Sequence, residues 1–248
     1  MSKKAKKSNK KPQTSNKKPQ SSNRKTVVII SAIVAVVLIA AVIILAVNLT
    51  SNNSSTTSTN TDSSTTSVTS ENTQNKTYDP ETISGMHHIE IDMKDYGVIK
   101  VELNADVAPI SVANFMNLSD QGFYDGLTLH RIISGFMMQG GDPLGNGTGG
   151  SEETIKGEFS SNGVENNLSH TRGAISMARS TDMDSASSQF FIVHQDSTYL
   201  DGSYACFGYV TEGIEIVDEI CENTPVTDSN GTVESANQPI INSIKVID

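Results

Sequence analysis

Within residues 131–139 the chain carries Arg131, Phe136, Met137 and Gln139, which are a permanent cation, two large apolar side chains and a primary amide. A second run, residues 188–192, adds another amide, Gln189, and another ring, Phe191. Drawn together, these groups would line a small pocket, greasy on one wall and cationic on the other. Such a site suits a neutral amide attached to an apolar ring. The guanidinium is a rigid fork of donors whose charge does not titrate away, and the apolar wall favours burying hydrocarbon. The runs hold no activated nucleophile, acid pair or metal cage of the kind that bond-breaking chemistry needs. An isolated arginine reads as a surface ion pair and an isolated Phe or Leu as core; the concentration of all of them is what points to a site.

Further blocks surround these runs: Asn146-Gly147-Thr148-Gly149-Gly150, residues 170–179, Leu200-Asp201-Gly202 and Phe207-Gly208. Taken in order with residues 130–142 and 188–192, they resemble the cyclophilins, the peptidyl-prolyl cis-trans isomerases. The resemblance covers residues 86–248, and it is specific because separated blocks match in sequence. It implies isomerisation of X-Pro bonds in polypeptide clients, without cofactor or metal; the alternative is a membrane-tethered module that binds proline peptides without turnover. It implies Arg131, Phe136 and Gln139 as catalytic residues. It implies Met137, Gly147, Ala178, Arg179, Ser180, Gln189, Phe191, Tyr199, Leu200 and Tyr204 as substrate-binding residues. In that scheme Phe136, Met137, Phe191 and Leu200 line the proline pocket, and Gln139 and Gln189 bond the client backbone. Residues 178–180 pair with the peptide, and Gly147 stands at a groove edge where a side chain would obstruct.

Three positions depart from the family pattern. Arg179 stands where Asn is commonest, Tyr199 where Trp is usual and Tyr204 where His is frequent. Backbone pairing at Arg179 survives such a change. Tyr199 offers a different donor and a smaller surface than Trp, which argues against tight cyclosporin binding. Tyr204 keeps an aromatic wall but removes a titratable imidazole, so activity should vary little between about pH 6 and 8.

These residues need a scaffold. Residues 88–93 and 98–103 alternate polar and apolar around a turn at Asp95-Tyr96-Gly97, a hairpin signal. Pro109 opens a helical stretch with Ile110, Ala113, Phe115, Met116 and Leu118, closed near Gly122. Short strands are expected at 128–133, 136–139, 174–177, 189–194, 205–210 and 240–247, and a second helix at 214–221. This pattern is mainly β and barrel-like. The resemblance implies a closed eight-stranded antiparallel β-barrel capped by two α-helices. Period-two alternation puts neighbours on opposite faces. Phe190 should therefore enter the barrel while Phe191 faces the groove, and His130 should oppose Arg131 as a satisfied structural histidine.

Charge and hydropathy divide the chain. Ten of the 18 Lys and Arg fall in the first 25 residues, which hold no acid, leaving 8 basic against 28 acidic residues beyond them. That acidic remainder argues against nucleic-acid binding. Residues 27–47 are apolar apart from Ser31. At about 1.5 Å per residue they reach roughly 31 Å, the thickness of a bilayer core. The expected organisation is a basic cytoplasmic tail (1–26), a transmembrane helix (27–47), a disordered Ser/Thr/Asn-rich linker (48–80) and an isomerase domain (81–248). The basic tail sets the orientation: N-terminus cytoplasmic, domain extracytoplasmic. A cleaved signal peptide is the competing reading, weakened by the length of the run and the absence of a small-x-small site after it. The domain is expected to be monomeric, and Cys206 and Cys221 to be free thiols.

Gly145-x-Gly147-x-x-Gly150 fits a dinucleotide fingerprint only formally, because no clear helix follows and Glu152-Glu153 would repel phosphate.

Overall fold

The expected hairpin is formed by β1 (Met86–Met93) and β2 (Gly97–Asn104), paired with Ile89 opposite Val101 and Ile91 opposite Ile99. Alternation sends Ile89, Ile91, Ile99, Val101 and Leu103 to one face, where all are buried. These elements come from a computed structural model, which describes residues 77–248. The expected tail and membrane span lie outside the described residues. So does most of the expected linker, but its last residues are docked. Tyr78 is buried, its N–H reaches Asn117 Oδ1 (2.8 Å) and its carbonyl accepts from Asn117 Nδ2 (2.8 Å). Structure thus begins before residue 81, because Asn117 supplies the backbone partners that the segment lacks on its own. Among the described residues no helix is long and apolar enough to cross a membrane.

Helix α1 (Pro109–Asp120) starts on a proline, whose fixed φ suits the first turn. Ala108 offers no side-chain cap. Glu158, distant in sequence, supplies it: its carboxylate accepts from the N–H groups of Ile110 (2.9 Å) and Ser111 (2.8 Å) and from the Ser111 hydroxyl (2.6 Å). Phe115 on this helix meets Tyr124, Phe190 and Phe207 with ring centroids 4.9, 5.2 and 5.3 Å away, the aromatic centre of the main core. Phe190 therefore points inward as alternation requires. Helix α2 (Ile214–Asn223) buries Ile216, Val217, Ile220 and Cys221. Both cysteines are buried free thiols, with burial raising Cys206 to about 11 and Cys221 to about 12.

The remaining strands are β3 (Thr128–Ile133), β4 (Met137–Asp142), β5 (Ala174–Met177), β6 (Phe190–Val193), β7 (Cys206–Glu212) and β8 (Ile241–Val246). All pairings are antiparallel in one eight-stranded sheet ordered β3-β4-β6-β5-β7-β2-β1-β8. Gly208 on β7 lets β2 approach, since a Cβ there would sit 2.3 Å from the Glu102 carbonyl oxygen. The sheet is a curled half-barrel rather than the closed barrel expected. Its edge strands meet at one isolated bridge, Thr128 with Ile240, flanked by Leu129 N–H to Pro239 O (2.9 Å) and Ile241 N–H to Leu127 O (2.8 Å). The rest of the β3 edge is occupied by residues 230–233: Ile132 N–H reaches Gly231 O (2.8 Å) and Val233 N–H reaches His130 O (3.0 Å). That segment takes the bonds a ladder between β3 and β8 would use.

Candidate active site

Directly opposed residues of antiparallel strands share a face. The register aligns Arg131 with Gln139, Gln139 with Phe191, Phe191 with Ser176 and Ser176 with Cys206, one row across β3, β4, β6, β5 and β7. The neighbouring row, Ile132, Met138, Ile192 and Ile175, belongs to the main core. The same strands therefore build a core on one face and a candidate site on the other. On the site face, Met137, Phe191, Leu200 and Cys206 form a second apolar cluster, with Phe136, Ala178 and Tyr204 packed against it.

Arg131 is fixed at the end of the row. Its Nε donates to Asn230 O (2.8 Å) and its Nη1 to Gln139 Oε1 (3.2 Å). Gln139 Nε2 donates to Gln189 Oε1 (2.9 Å), and Gln189 Nε2 to Gly149 O (2.7 Å). Each amide is thus oriented by the next, and the series ends on a backbone carbonyl. Burial lowers the pKa of the Arg131 guanidinium, while Tyr204, Asp228 and Tyr199 act the other way; an arginine so placed is still a cation at neutral pH.

Phe136 is half-buried, and the Tyr199 ring lies 5.9 Å from it at 33°. Tyr199 itself is exposed, on a 3-10 turn (Thr198–Leu200) that also delivers Leu200 to the cluster. Tyr204 meets Phe191 edge-on at 5.8 Å. Arg179 covers Tyr204, its guanidinium carbon 4.8 Å from the ring centroid. Ser180 is less integrated: it is exposed, and both its N–H (2.9 Å) and its hydroxyl (2.8 Å) bond Ser185 Oγ. Gly147 has a left-handed backbone. A Cβ there would meet only the His130 ring, at 3.5 Å, whereas its φ of +87° is one that side-chain-bearing residues rarely adopt. That backbone conformation by itself favours a glycine.

His130 is the extra residue of a β-bulge, since Leu129 and Arg131 face the consecutive residues Gly140 and Gln139. It is buried as expected but not satisfied: no protein group bonds either ring nitrogen. Burial lowers its pKa, with Asp142 opposing and Arg131 assisting.

Sequence reasoning passed over the buried support behind Phe191. His170 stacks on that ring at 6.0 Å and 17°. Its Nδ1 pairs with Asp201 Oδ1 (2.7 Å) and its Nε2 with Ser176 Oγ (2.8 Å). The arrangement has the order of a hydrolytic triad, but Ser176 is fully buried and serves as a floor, not a nucleophile. Burial lowers the His170 pKa against the pull of Asp201. The signal available was the Leu200-Asp201-Gly202 block, yet only tertiary contact brings Asp201 to His170. His194 was missed as well. Its N–H reaches Phe136 O (2.8 Å) and its Nδ1 accepts from Gly135 N–H (3.0 Å), clamping the β3–β4 turn that presents Phe136.

The arrangement can hold an apolar ring against Phe136, Met137 and Phe191 while a fixed guanidinium addresses a neighbouring amide. The one serine hydroxyl paired with a histidine there, that of Ser176, is fully buried. Residues 88–246 match the family described as cyclophilin type peptidyl-prolyl cis-trans isomerase/CLD. The chain belongs to this family. It is 48% identical over 123 residues to peptidyl-prolyl cis-trans isomerase B of Bacillus subtilis, covering 50% of this chain and 82% of that protein. It is 44% identical over 126 residues to a peptidyl-prolyl cis-trans isomerase of Helicobacter pylori strain J99, covering 50% and 75%. Among solved structures, a Cryptosporidium parvum cyclophilin-type isomerase superposes with a TM-score of 0.58 at 30% identity, over 66% of this chain and 99% of that one. The same protein crystallised in the presence of the dipeptide Ala-Pro superposes with a TM-score of 0.57 at 31% identity, over 65% and 99%.

Proposed function

We propose that this cyclophilin is a membrane-tethered foldase that isomerises X-Pro bonds of extracytoplasmic proteins at the site around Arg131. Amide resonance sets a barrier of about 20 kcal/mol to rotation about the X-Pro bond, and no covalent bond need break. Twisting the bond returns a lone pair to the prolyl nitrogen. A donor aimed at that nitrogen stabilises the twisted amide more than the planar one, which is the condition for catalysis. Arg131 is assigned as this donor, because Asn230 O and Gln139 hold its fork in place and leave its other N–H groups available. Phe136, Met137, Phe191 and Leu200 take the proline ring, and Gln139 and Gln189 hold the client backbone. The Ala-Pro dipeptide used with the related Cryptosporidium protein has the chemistry of such a ligand. The location rests on the basic first 25 residues followed by the apolar run 27–47.

The observation that carries the catalytic reading is the fixed guanidinium at the rim of an apolar cluster. Its test is prolyl exchange by the full chain beside Arg131→Ala. Turnover should fall by about 100-fold or more while peptide affinity stays within about tenfold, because the contact strengthens in the twisted state. Equal losses in both would make Arg131 a ground-state anchor only. The location is tested by adding protease to intact cells: the domain should be digested from outside, and full protection would place it in the cytoplasm.

A further inference from the structure

Arg179 carries a charge that amide isomerisation does not use. It follows β5, and neither its backbone N–H nor its C=O is bonded within the described residues, so this stretch is open to a client strand. Its side chain is held rigidly. Nε and Nη2 donate to Ser203 O at 3.0 and 2.8 Å, and Nη1 to Ser180 O at 2.9 Å. The guanidinium carbon stands 4.8 Å from the Tyr204 ring centroid and 5.0 Å from that of Phe159. Carbonyls and rings orient the cation without neutralising it, and one N–H on each terminal nitrogen remains unused.

Two other cations of the domain are neutralised. Arg172 grips Asp218 through both terminal nitrogens, and Lys100 pairs with Glu212 at 2.9 Å. Arg179 and Arg131 form no ion pair, although Asp228 lies near enough to Arg131 to be felt. Tyr204, which belongs to the candidate site, thus carries one unpaired guanidinium on its ring. The chain beyond the first 25 residues has 8 basic against 28 acidic residues, so this is a positive spot on a negative body. Such a spot focuses attraction on a small anion. A pre-oriented guanidinium also loses little freedom when it binds a carboxylate.

We propose that Arg179 makes the enzyme selective for clients with an acidic residue adjacent to the proline, its guanidinium engaging the carboxylate while Arg131 serves the amide. This rests on the isomerase reading and specifies its substrate class. The test uses the full chain and end-blocked Ala-Pro peptides bearing Glu, Gln or Lys in turn on either side of the proline, with kcat/KM from exchange NMR. At one of the two positions Glu should exceed Lys by about tenfold at low salt, with Gln between, and the gap should narrow in high salt. In Arg179→Gln the ratio should drop below about threefold, while Arg179→Lys should keep most of it. The readout is a ratio within each variant, so a general loss of activity cancels, and the salt series needs no variant at all. A flat series at both positions in the wild type, or the same ratio in Arg179→Gln, overturns the proposal and leaves the isomerase reading intact. Acceleration of none of the peptides overturns both.

Discussion

At the scale of single residues, geometry distinguishes Arg131 from a mere positive charge. A lysine would keep the charge, but it has three donors on one nitrogen instead of five on three, so bonding both Asn230 O and Gln139 would leave it a single donor in place of the guanidinium's three. Arg131→Lys is therefore expected to lose at least about tenfold in kcat/KM, measured on an X-Pro peptide; near-wild-type turnover would show that charge alone suffices. Phe136→Ala should damage affinity and turnover together, since it removes a wall that touches both planar and twisted amide. The pH profile follows from the histidines. Burial lowers the pKa of both His130 and His170, which favours their neutral forms. Activity should change by less than about twofold between pH 6 and 8, and a bell centred in that range would refute the assignment.

At the scale of elements, two supports come from residues far away in sequence. Helix α1 has no cap of its own, and Glu158 provides one from 48 residues beyond Ile110. Burial raises the Glu158 pKa, against the lowering effect of its donors Ser111 and Ile110. Glu158→Ala should cost about 2 kcal/mol, read as a lower denaturation midpoint, because it strands buried N–H groups at the helix start. An unchanged midpoint would mean solvent caps the helix equally well. The β3–β4 turn depends on His194, whose Nδ1 accepts from Gly135 while Nε2 faces Asp218 Oδ1 at 3.2 Å. The amide of His194→Asn can mimic Nδ1, whereas that of His194→Gln reaches the Nε2 position instead. If the clamp positions Phe136, the Asn variant should retain more than about threefold the kcat/KM of the Gln variant at similar stability. The reverse order would assign the importance to Asp218.

At the scale of the whole molecule, acid sensitivity is built into the buried groups. The unfolded chain takes up the protons that folded His130 and His170 refuse, so their contribution to stability is present above about pH 6.5 and declines below it. A second loss follows at lower pH. Burial raises Asp142 and Asp201, but N–H donors around Asp142, and His170 with Ser169 around Asp201, outweigh it and hold both below their usual value. The Tm should therefore be lower at pH 5 than at pH 7.5; a flat or rising Tm would mean that groups of opposite sign, such as Glu158 with its raised pKa, outweigh the histidines. Much of the scaffold was legible beforehand because its causes are local. Alternation in residues 88–103 specified the hairpin, Pro109 the start of α1, and the opposite fates of Phe190 and Phe191 followed from a two-residue period. The family blocks named residues that the fold gathers on one face, among them Arg131, Phe136, Met137, Gln139 and Phe191. What sequence could not supply was long-range register. Only the folded sheet puts Arg131, Gln139 and Phe191 in one row, sets Asp201 on His170, inserts residues 230–233 where barrel closure was expected, and lays Arg179 over Tyr204. Alternation and capping depend on neighbours within a few residues, whereas pairing depends on which distant surfaces meet, and that is decided when the whole sheet assembles.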